Sequence, residues 1–409
     1  MKKKANIKGL VLKVASRCNL NCSYCYMYNL GDLSYLNQPK KMSNEVVEAV
    51  INQVKRQSQI YDLNEFEFIF HGGEPLLLPK AFFRNFVTKA QSTLKGINLR
   101  FGVQTNGSLL DDEWCSLLKE LGVGVGISID GPEEIHNIYR IDKQGIGSFD
   151  AVVRGIGIAN QNNLKIGILS VVNPATDARE IYGFFKSLNT KSIDFLFPDH
   201  HHDFLPNQYQ ENGLSPDFTP FGDWWIKLFD SWFYGQDTKP SIRFLSQIIL
   251  MIIGIDNGFE TIGQQENNYL IIETDGSIEA SDYLKACGDG FTKEGKNVLF
   301  DDFDKAVNTH LITLHRHSHR NLPKQCTKCP IKDVCGGGHL AHRFSREREF
   351  DNPSIYCFDL MKLITHIQNI VVARLPKEIV DATGIEPIQY EEVIETLQIS
   401  GFTQIIDKN

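Results

Sequence analysis

Three cysteines near the start of the chain, Cys18, Cys22 and Cys25, sit four and three residues apart in the segment Cys-Asn-Leu-Asn-Cys-Ser-Tyr-Cys. Three thiolates at that spacing can take three corners of a cubane iron–sulfur cluster. A fully held cluster takes four cysteines, so one iron is left open to an outside ligand. A second group, Cys326, Cys329, Cys335 and Cys357, offers four thiolates as C-x2-C-x5-C with a distant fourth, enough to close a cluster with no open iron. Zinc is the competing reading for both groups, because three-cysteine sets and C-x2-C spacing also serve zinc. The cysteines number nine, an odd count, and no export signal precedes them, so metal or catalytic use is favoured over disulfides. Cys115, on an amphipathic stretch, reads as core.

The elements that must hold the first group are legible around it. It lies in a long loop, 16–42, between a strand-like run at 9–15 and a helix running to residue 59 that Ser43 can cap. Val46, Val47, Val50, Ile51 and Val54 share one face of that helix. Long loops in compact domains are usually functional. Further strand-like runs at 66–70, 99–104, 123–129, 165–172 and 192–197 alternate with helical stretches at 79–94, 111–121, 148–162 and 177–188. Alternation of this kind means parallel βα units. Polar motifs follow the strands at their C-terminal ends, where barrel enzymes assemble their sites. They are Gly72-Gly73-Glu74-Pro75, Gln104-Thr105-Asn106-Gly107 and Ser128-Ile129-Asp130-Gly131-Pro132, with Arg140 beyond. Two glycines permit close backbone approach, and Glu74 offers an acceptor to an ammonium group.

The three-cysteine loop in register with these motifs resembles the radical S-adenosylmethionine enzymes over roughly residues 9–199. The resemblance implies an α/β fold, a partial (β/α)6 TIM-like barrel. It also implies a [4Fe-4S] cluster on Cys18, Cys22 and Cys25, and S-adenosylmethionine cleaved to a 5′-deoxyadenosyl radical. Cosubstrate contacts are implied for Gly72, Gly73, Glu74, Asn106, Ser128, Asp130 and Arg140, with Tyr24 at the adenine or packing within the loop. His71 stands where some relatives carry another polar residue.

The second cysteine group resembles an auxiliary cluster of the SPASM extension of peptide-modifying members. That implies at least one auxiliary [4Fe-4S] cluster, on Cys326, Cys329, Cys335 and Cys357. The ligand set of a second one is broken: its places read Ser281, Cys287, no cysteine before Cys326, and His339. Cys287 and His339, with Asp282, are the residues left to bind there, so that cluster is incomplete or absent. Cys287 serves equally well as a small buried hydrophobe. The run Cys335-Gly336-Gly337-Gly338-His339 with His342-Arg343-Phe344-Ser345, and the run Asp199-His200-His201-His202-Asp203, resemble maturases that form three-residue cyclophanes, the glycine-rich-repeat and Xye-type enzymes. The implied reaction joins an aromatic ring to the Cβ of a nearby residue in a ribosomally made precursor peptide. It needs a general base; Asp282 is the first candidate, with Asp199 and His202 as alternatives. Sulfatase-type oxidation of Cys or Ser and thioether formation are the other enzyme readings; a non-catalytic iron–sulfur or zinc scaffold is the reading from another class. An electron donor such as flavodoxin or ferredoxin is the implied second partner.

Composition sets the frame. The chain has 409 residues, 42% hydrophobic, with a net charge of −8. A core is assured, and an acidic balance argues against a nucleic-acid surface. No apolar run is long enough to span a membrane, and a cytoplasmic location is expected. The segments expected are a core barrel at 1–200, a bridging helical insert at 201–267, an auxiliary-cluster domain at 268–373 and a cap at 374–409. The hairpin signal Thr274-Asp275-Gly276 opens the third. The aromatic stretch 221–233 reads as core packing first and a peptide groove second. His315, His317 and His319 read as a surface patch.

Overall fold

The computed structural model describes residues 6–235, 240–256 and 259–399; positions 400–409 of the expected cap lie outside the described residues. In chain order the strands are β1 (Gly9–Ala15), β2 (Glu65–Gly72), β3 (Asn98–Thr105), β4 (Val123–Ser128), β5 (Ile166–Val171), β6 (Ser192–Leu196), β7 (Ser241–Ile242), β8 (Tyr269–Ile272) and β9 (Ile278–Glu279). The chain divides into two compact units. The first takes Met1–Ser170, Ser187–Ser192 and Asn268–Arg316; the second takes Val171–Lys186, Ile193–Asn267 and His317–Asn409.

In the first unit β1 to β5 pair in parallel, each with the next, as the βα alternation requires. The helices between them follow from the sequence. Helix Asn44–Tyr61 is capped by Ser43, whose hydroxyl accepts from the Val46 amide at 3.2 Å, and it buries the valine and isoleucine face. Asp111 caps helix Asp112–Glu120 in the same way through the Trp114 amide. Strand β2 alternates, with Phe66, Phe68 and Phe70 fully buried, and Phe70 meets Phe83 and Phe86 of helix Lys80–Thr93 edge-on at 5.0 and 5.1 Å. A short helix, Glu133–Tyr139, stands where no helix was expected; it starts after Pro132 and ends at Arg140.

The hairpin after residue 268 does not begin a separate domain. Strand β8 pairs in parallel with β1, Leu10 opposite Leu270, and β9 turns back antiparallel on β8. The reason lies in β1, whose outer edge would otherwise present unpaired backbone groups. Residues 268–316 therefore belong with the barrel strands, and the division differs from the four segments drawn from the sequence.

A buried charge network ties the cysteine loop to this hairpin. Lys285, 2% exposed, reaches Glu279 at 2.9 Å, Glu273 at 3.2 Å and Asp32 at 3.8 Å. Lys293 adds a contact of 2.7 Å to Glu279. Burial and the neighbouring Glu279 carboxylate push Glu273 up to about 7, while Glu279, though buried, is held below its usual value by the two lysines.

In the second unit the aromatic helix, Pro220–Phe233, buries Trp224, Trp225, Leu228 and Phe229, so its stripe is core. It packs on helix Cys357–Val372 through Gly222, whose amide donates to Asp359 at 2.8 Å; Tyr209 also donates to Asp359. A Cβ at Gly222 would lie 2.9 Å from the Asp359 backbone, so only glycine allows this approach. Helices Lys377–Thr383 and Tyr390–Ile399 follow. The expected histidine surface patch is overturned: His315, His317 and His319 are all buried. His319 bonds the carbonyls of Gly336 and Glu260 at 2.9 and 2.8 Å, work that a surface side chain would not do. No helix among the described residues is long and apolar enough to cross a membrane.

Lys285→Met tests the charge network. Removing the cation takes the lysine partner from buried Glu273 and Asp32 and leaves Glu279 with Lys293 alone, and the variant is expected to lose about 3–5 kcal/mol in denaturant unfolding at pH 7.

Candidate active site

The cysteine loop is rooted where β1 ends. The Gly73 amide donates to the Ala15 carbonyl at 2.7 Å and the Glu74 amide to the Arg17 carbonyl at 3.0 Å. Gly72 has φ of +140°, and a Cβ there would lie 2.2 Å from the Ala15 oxygen; one at Gly73 would lie 2.1 Å from Tyr28 Oη. The glycine pair thus seats the root of the loop against the end of β2. Farther on, the Asn21 and Ser23 amides donate to the carbonyls of Ile141 and Tyr139 at 2.7 and 2.9 Å. The cysteines are brought together by this bracing. Cys22 and Cys25 each act electrostatically on Cys18, and Cys22 on Cys25, while burial pushes the thiols of Cys18 and Cys25 up to about 12. Such thiols stay neutral until a metal draws off the proton.

The strand-end motifs converge on the same end of the first unit. Glu74 is fully buried and accepts from the Leu76 amide at 2.9 Å, the Thr105 hydroxyl at 2.7 Å and the Asn106 amide at 2.8 Å. Burial pushes its carboxyl up to about 7 against those bonds. The Asn106 side chain donates to Asn19 at 2.9 Å, inside the cysteine loop, and its amide nitrogen lies 3.8 Å from the Cys18 sulfur. Ser128 accepts from Gln104 at 2.8 Å. Asp130 accepts from the Tyr24 hydroxyl and from Arg140 at 3.0 Å, and the guanidinium stands 5.5 Å over the Tyr24 ring. Half-buried Tyr24 and buried Asp130 and Arg140 form one group beside Cys22, whose thiol feels both charges.

Asp282 stands in a second group that the sequence did not reveal. It pairs with Lys13, itself fully buried on β1, and accepts from the Tyr26 hydroxyl at 2.6 Å. Lys13 also lies 3.0 Å from Nδ1 of His71, which accepts from the Gly72 amide at 2.8 Å. Although burial works against it, Lys13 holds the Asp282 carboxyl well below the usual range, so it is ionised at neutral pH. Burial, with Lys13 beside it, pushes His71 down to about 4. Lys13 and Tyr26 were missed; the signal was a lone lysine inside an otherwise apolar strand, Gly-Leu-Val-Leu-Lys-Val-Ala.

In the second unit Cys326, Cys329, Cys335 and Cys357 all line one small cavity with Met361 and Leu397. Gly336, Gly337 and Gly338 follow Cys335 with φ of +60°, +79° and +70°, a left-handed run open to glycine. Asp199 does not stand alone as a base: it lies 4.0 Å from Nδ1 of His339, with His342 alongside. The His202 ring is committed to the Pro353 carbonyl at 2.8 Å. Cys287 is buried in the first unit, while His339 has Asp199 and His342 as its ligand-type neighbours in the second, so the structure gives the two residues different settings. Cys115 is fully buried, as core.

The metal implied by each cysteine group is testable on the sulfur spacing. A single tetrahedral zinc holds its thiolates about 3.8 Å apart, from bonds near 2.3 Å. Thiolates on separate irons of a cubane stand wider apart, and four cysteines lining one cavity are a donor set that such a cluster accepts.

Comparison with known proteins bears on the reaction class. The Radical SAM superfamily matches residues 12–187, the stretch that holds the cysteine loop and the strand-end motifs. The chain is a radical SAM enzyme. It is 28% identical over 367 residues to the cysteine-type anaerobic sulfatase-maturating enzyme of Clostridium novyi, covering 86% of this chain and 92% of that one. It is 28% identical over 363 residues to the serine-type enzyme of Bacteroides thetaiotaomicron, covering 82% and 83%. Its fold matches anSMEcpe with bound AdoMet at a TM-score of 0.76 and 24% identity, over 89% of this chain and 98% of that one. It also matches Streptococcus suis SuiB bound to precursor peptide SuiA, at a TM-score of 0.54 and 14% identity over 85% and 75%. The radical SAM family implies S-adenosylmethionine and one [4Fe-4S] cluster as cofactors.

Two outcomes are expected. Between pH 6.5 and 4 the unfolded chain binds a proton that folded His71 refuses, so stability falls as pH falls through that window, by about 3 kcal/mol in all. His71→Asn should remove that part of the slope in urea unfolding at pH 4.5 and 7. Gly73→Ala should cost about 1–3 kcal/mol by crowding the loop root, measured as a shift in thermal unfolding.

Proposed function

We propose that this radical SAM enzyme matures a ribosomally made peptide by joining an aromatic ring to the Cβ of a nearby residue. Cys18, Cys22 and Cys25 would hold the [4Fe-4S] cluster, and Glu74, Asn106, Ser128, Asp130 and Arg140, with the turn at Gly72 and Gly73, would hold S-adenosylmethionine. Bound there, the two would supply radical chemistry that begins by taking a hydrogen atom from the peptide. Ring closure removes a second hydrogen from the peptide, as a proton and an electron. Cys326, Cys329, Cys335 and Cys357 would hold an auxiliary cluster able to take the electron.

The proton is this chain's own task, and Asp282 is the observation that carries the reading. Its carboxylate is kept ionised by Lys13 and oriented by Tyr26. A base so stabilised is weak. A proton on an oxidised aromatic ring is far more acidic than a thiol or hydroxyl proton, so a weak, always ionised base suits it. A peptide substrate is supported by the fold likeness to SuiB bound to its precursor peptide and to anSMEcpe bound to the Cp18Cys peptide.

A second reading is favoured by the sulfatase-maturating relatives: oxidation of a Cys or Ser side chain to an aldehyde. Against it, the places for thiolates of a second auxiliary cluster hold Ser281 and His339, with Cys287 as the one thiol.

The test is anaerobic co-expression with a short peptide encoded beside the enzyme, followed by fragmentation mass spectrometry. Loss of two hydrogens within a tripeptide containing an aromatic residue, without reaction toward a hydrazine, supports the crosslink. Loss of two hydrogens from serine, or of hydrogen sulfide and gain of oxygen at cysteine, with hydrazine capture, supports the aldehyde. Asp282→Asn is expected to lower product by about 10²–10⁴-fold while 5′-deoxyadenosine still forms; unchanged product would remove Asp282 as the base.

A further inference from the structure

The second unit contains one other set of ligand atoms. Among the described residues, Asp199, His339 and His342 are the group of three His, Cys, Asp or Glu side chains whose donor atoms all lie within 4.8 Å of one another. Asp199 follows β6. His339 caps a single 3-10 turn, Leu340–Arg343, in the loop that leaves Cys335, and His342 lies within that turn. That turn is pinned by Arg343, fully buried, which donates to the carbonyls of Ser318, Asn321 and Phe350 at 3.0, 3.1 and 3.0 Å.

His342 points to a ligand. It is 3% exposed, and its Nε2 is buried with no hydrogen-bond partner. A buried imidazole nitrogen left without a hydrogen-bond partner can offer its lone pair to a metal ion. The ring is held edge-on to Tyr356 at 4.8 Å, so it cannot turn away cheaply. Beside the three side chains lies a cavity of about 50 Å³ walled by Phe195, Phe197, Phe244, Ile262 and Leu360.

We propose that Asp199, His339 and His342 bind one divalent first-row transition-metal ion, distinct from both cysteine centres. Two imidazoles and a carboxylate suit zinc or iron(II) rather than calcium or magnesium, which prefer oxygen ligands alone. Three protein ligands leave coordination positions open toward the cavity, as in catalytic rather than closed structural sites. The proposal does not rest on the peptide reaction.

The test uses reconstituted holoenzyme with its iron and sulfide counted. The protein is incubated anaerobically with equimolar Zn²⁺, desalted, and examined by metal analysis and zinc K-edge absorption. The expected result is one retained zinc per chain with nitrogen and oxygen neighbours alone. His342→Ala and Asp199→Asn are each expected to lower retention at least tenfold with iron and sulfide unchanged, while His310→Ala, exposed in the first unit, keeps the zinc. If His342→Ala also loses iron, the conservative Asp199→Asn decides. Failure of the wild type to retain zinc, sulfur in its coordination shell, or full retention by Asp199→Asn overturns the proposal.

Discussion

An irregular loop has to hold three sulfurs in fixed places, and every backbone donor and acceptor in it must find a partner outside regular secondary structure. The first unit is arranged around that constraint. The turn after β2 takes the root of the loop, residues 139–141 take its middle, and Asp32 carries its far side into the buried lysine network. The glycine pair at 72 and 73 is as much a product of this demand as of any approach to a cosubstrate, because side chains there would strike Ala15, Arg17 and Tyr28.

The same demand explains why charge is buried so freely. Lys13 and Lys285 are both shut away from water, each with carboxylates to match. A buried ion pair seldom adds net stability over well-packed hydrocarbon, but breaking one is costly. Both lysines join the early strand or loop to the segment after residue 268. One fixes the shape of the loop; the other sets a carboxylate at the end of β1 in a defined protonation state.

Much of this was legible in the sequence. The strands from 9 to 197 fall within a residue or two of their expected ends, because alternation in β2 and continuous apolar runs elsewhere are strong signals. The cysteine loop stood out by its spacing, and its strand-end motifs by their resemblance to a known family in register with it. What escaped is pairing between distant segments. Periodicity shows that 269–272 is a strand but not that its partner is β1, so the hairpin was assigned to a later domain. Lys13 reads as an ordinary exposed lysine until Asp282 is placed beside it. His342 was seen as part of a loop, and its tie to Asp199 became visible only once the chain had folded back. The histidines at 315, 317 and 319 failed for a related reason: a run of polar residues looks solvated when the carbonyls that receive them are dozens of positions away.

The tie between Asp32 and the hairpin also sets an order of assembly. Asp32 accepts from the Gly290 amide, 258 residues farther along the chain, and Lys285 lies in the same stretch. During synthesis the three cysteines emerge well before the last of the segments that brace their loop. The Asp32 side of the loop gains its partners only after residue 290 has left the ribosome, so the nascent chain first holds these thiols in a loop braced at its root and middle alone. Delivery of iron and sulfide to the finished geometry is therefore a late event, placed after translation of the hairpin.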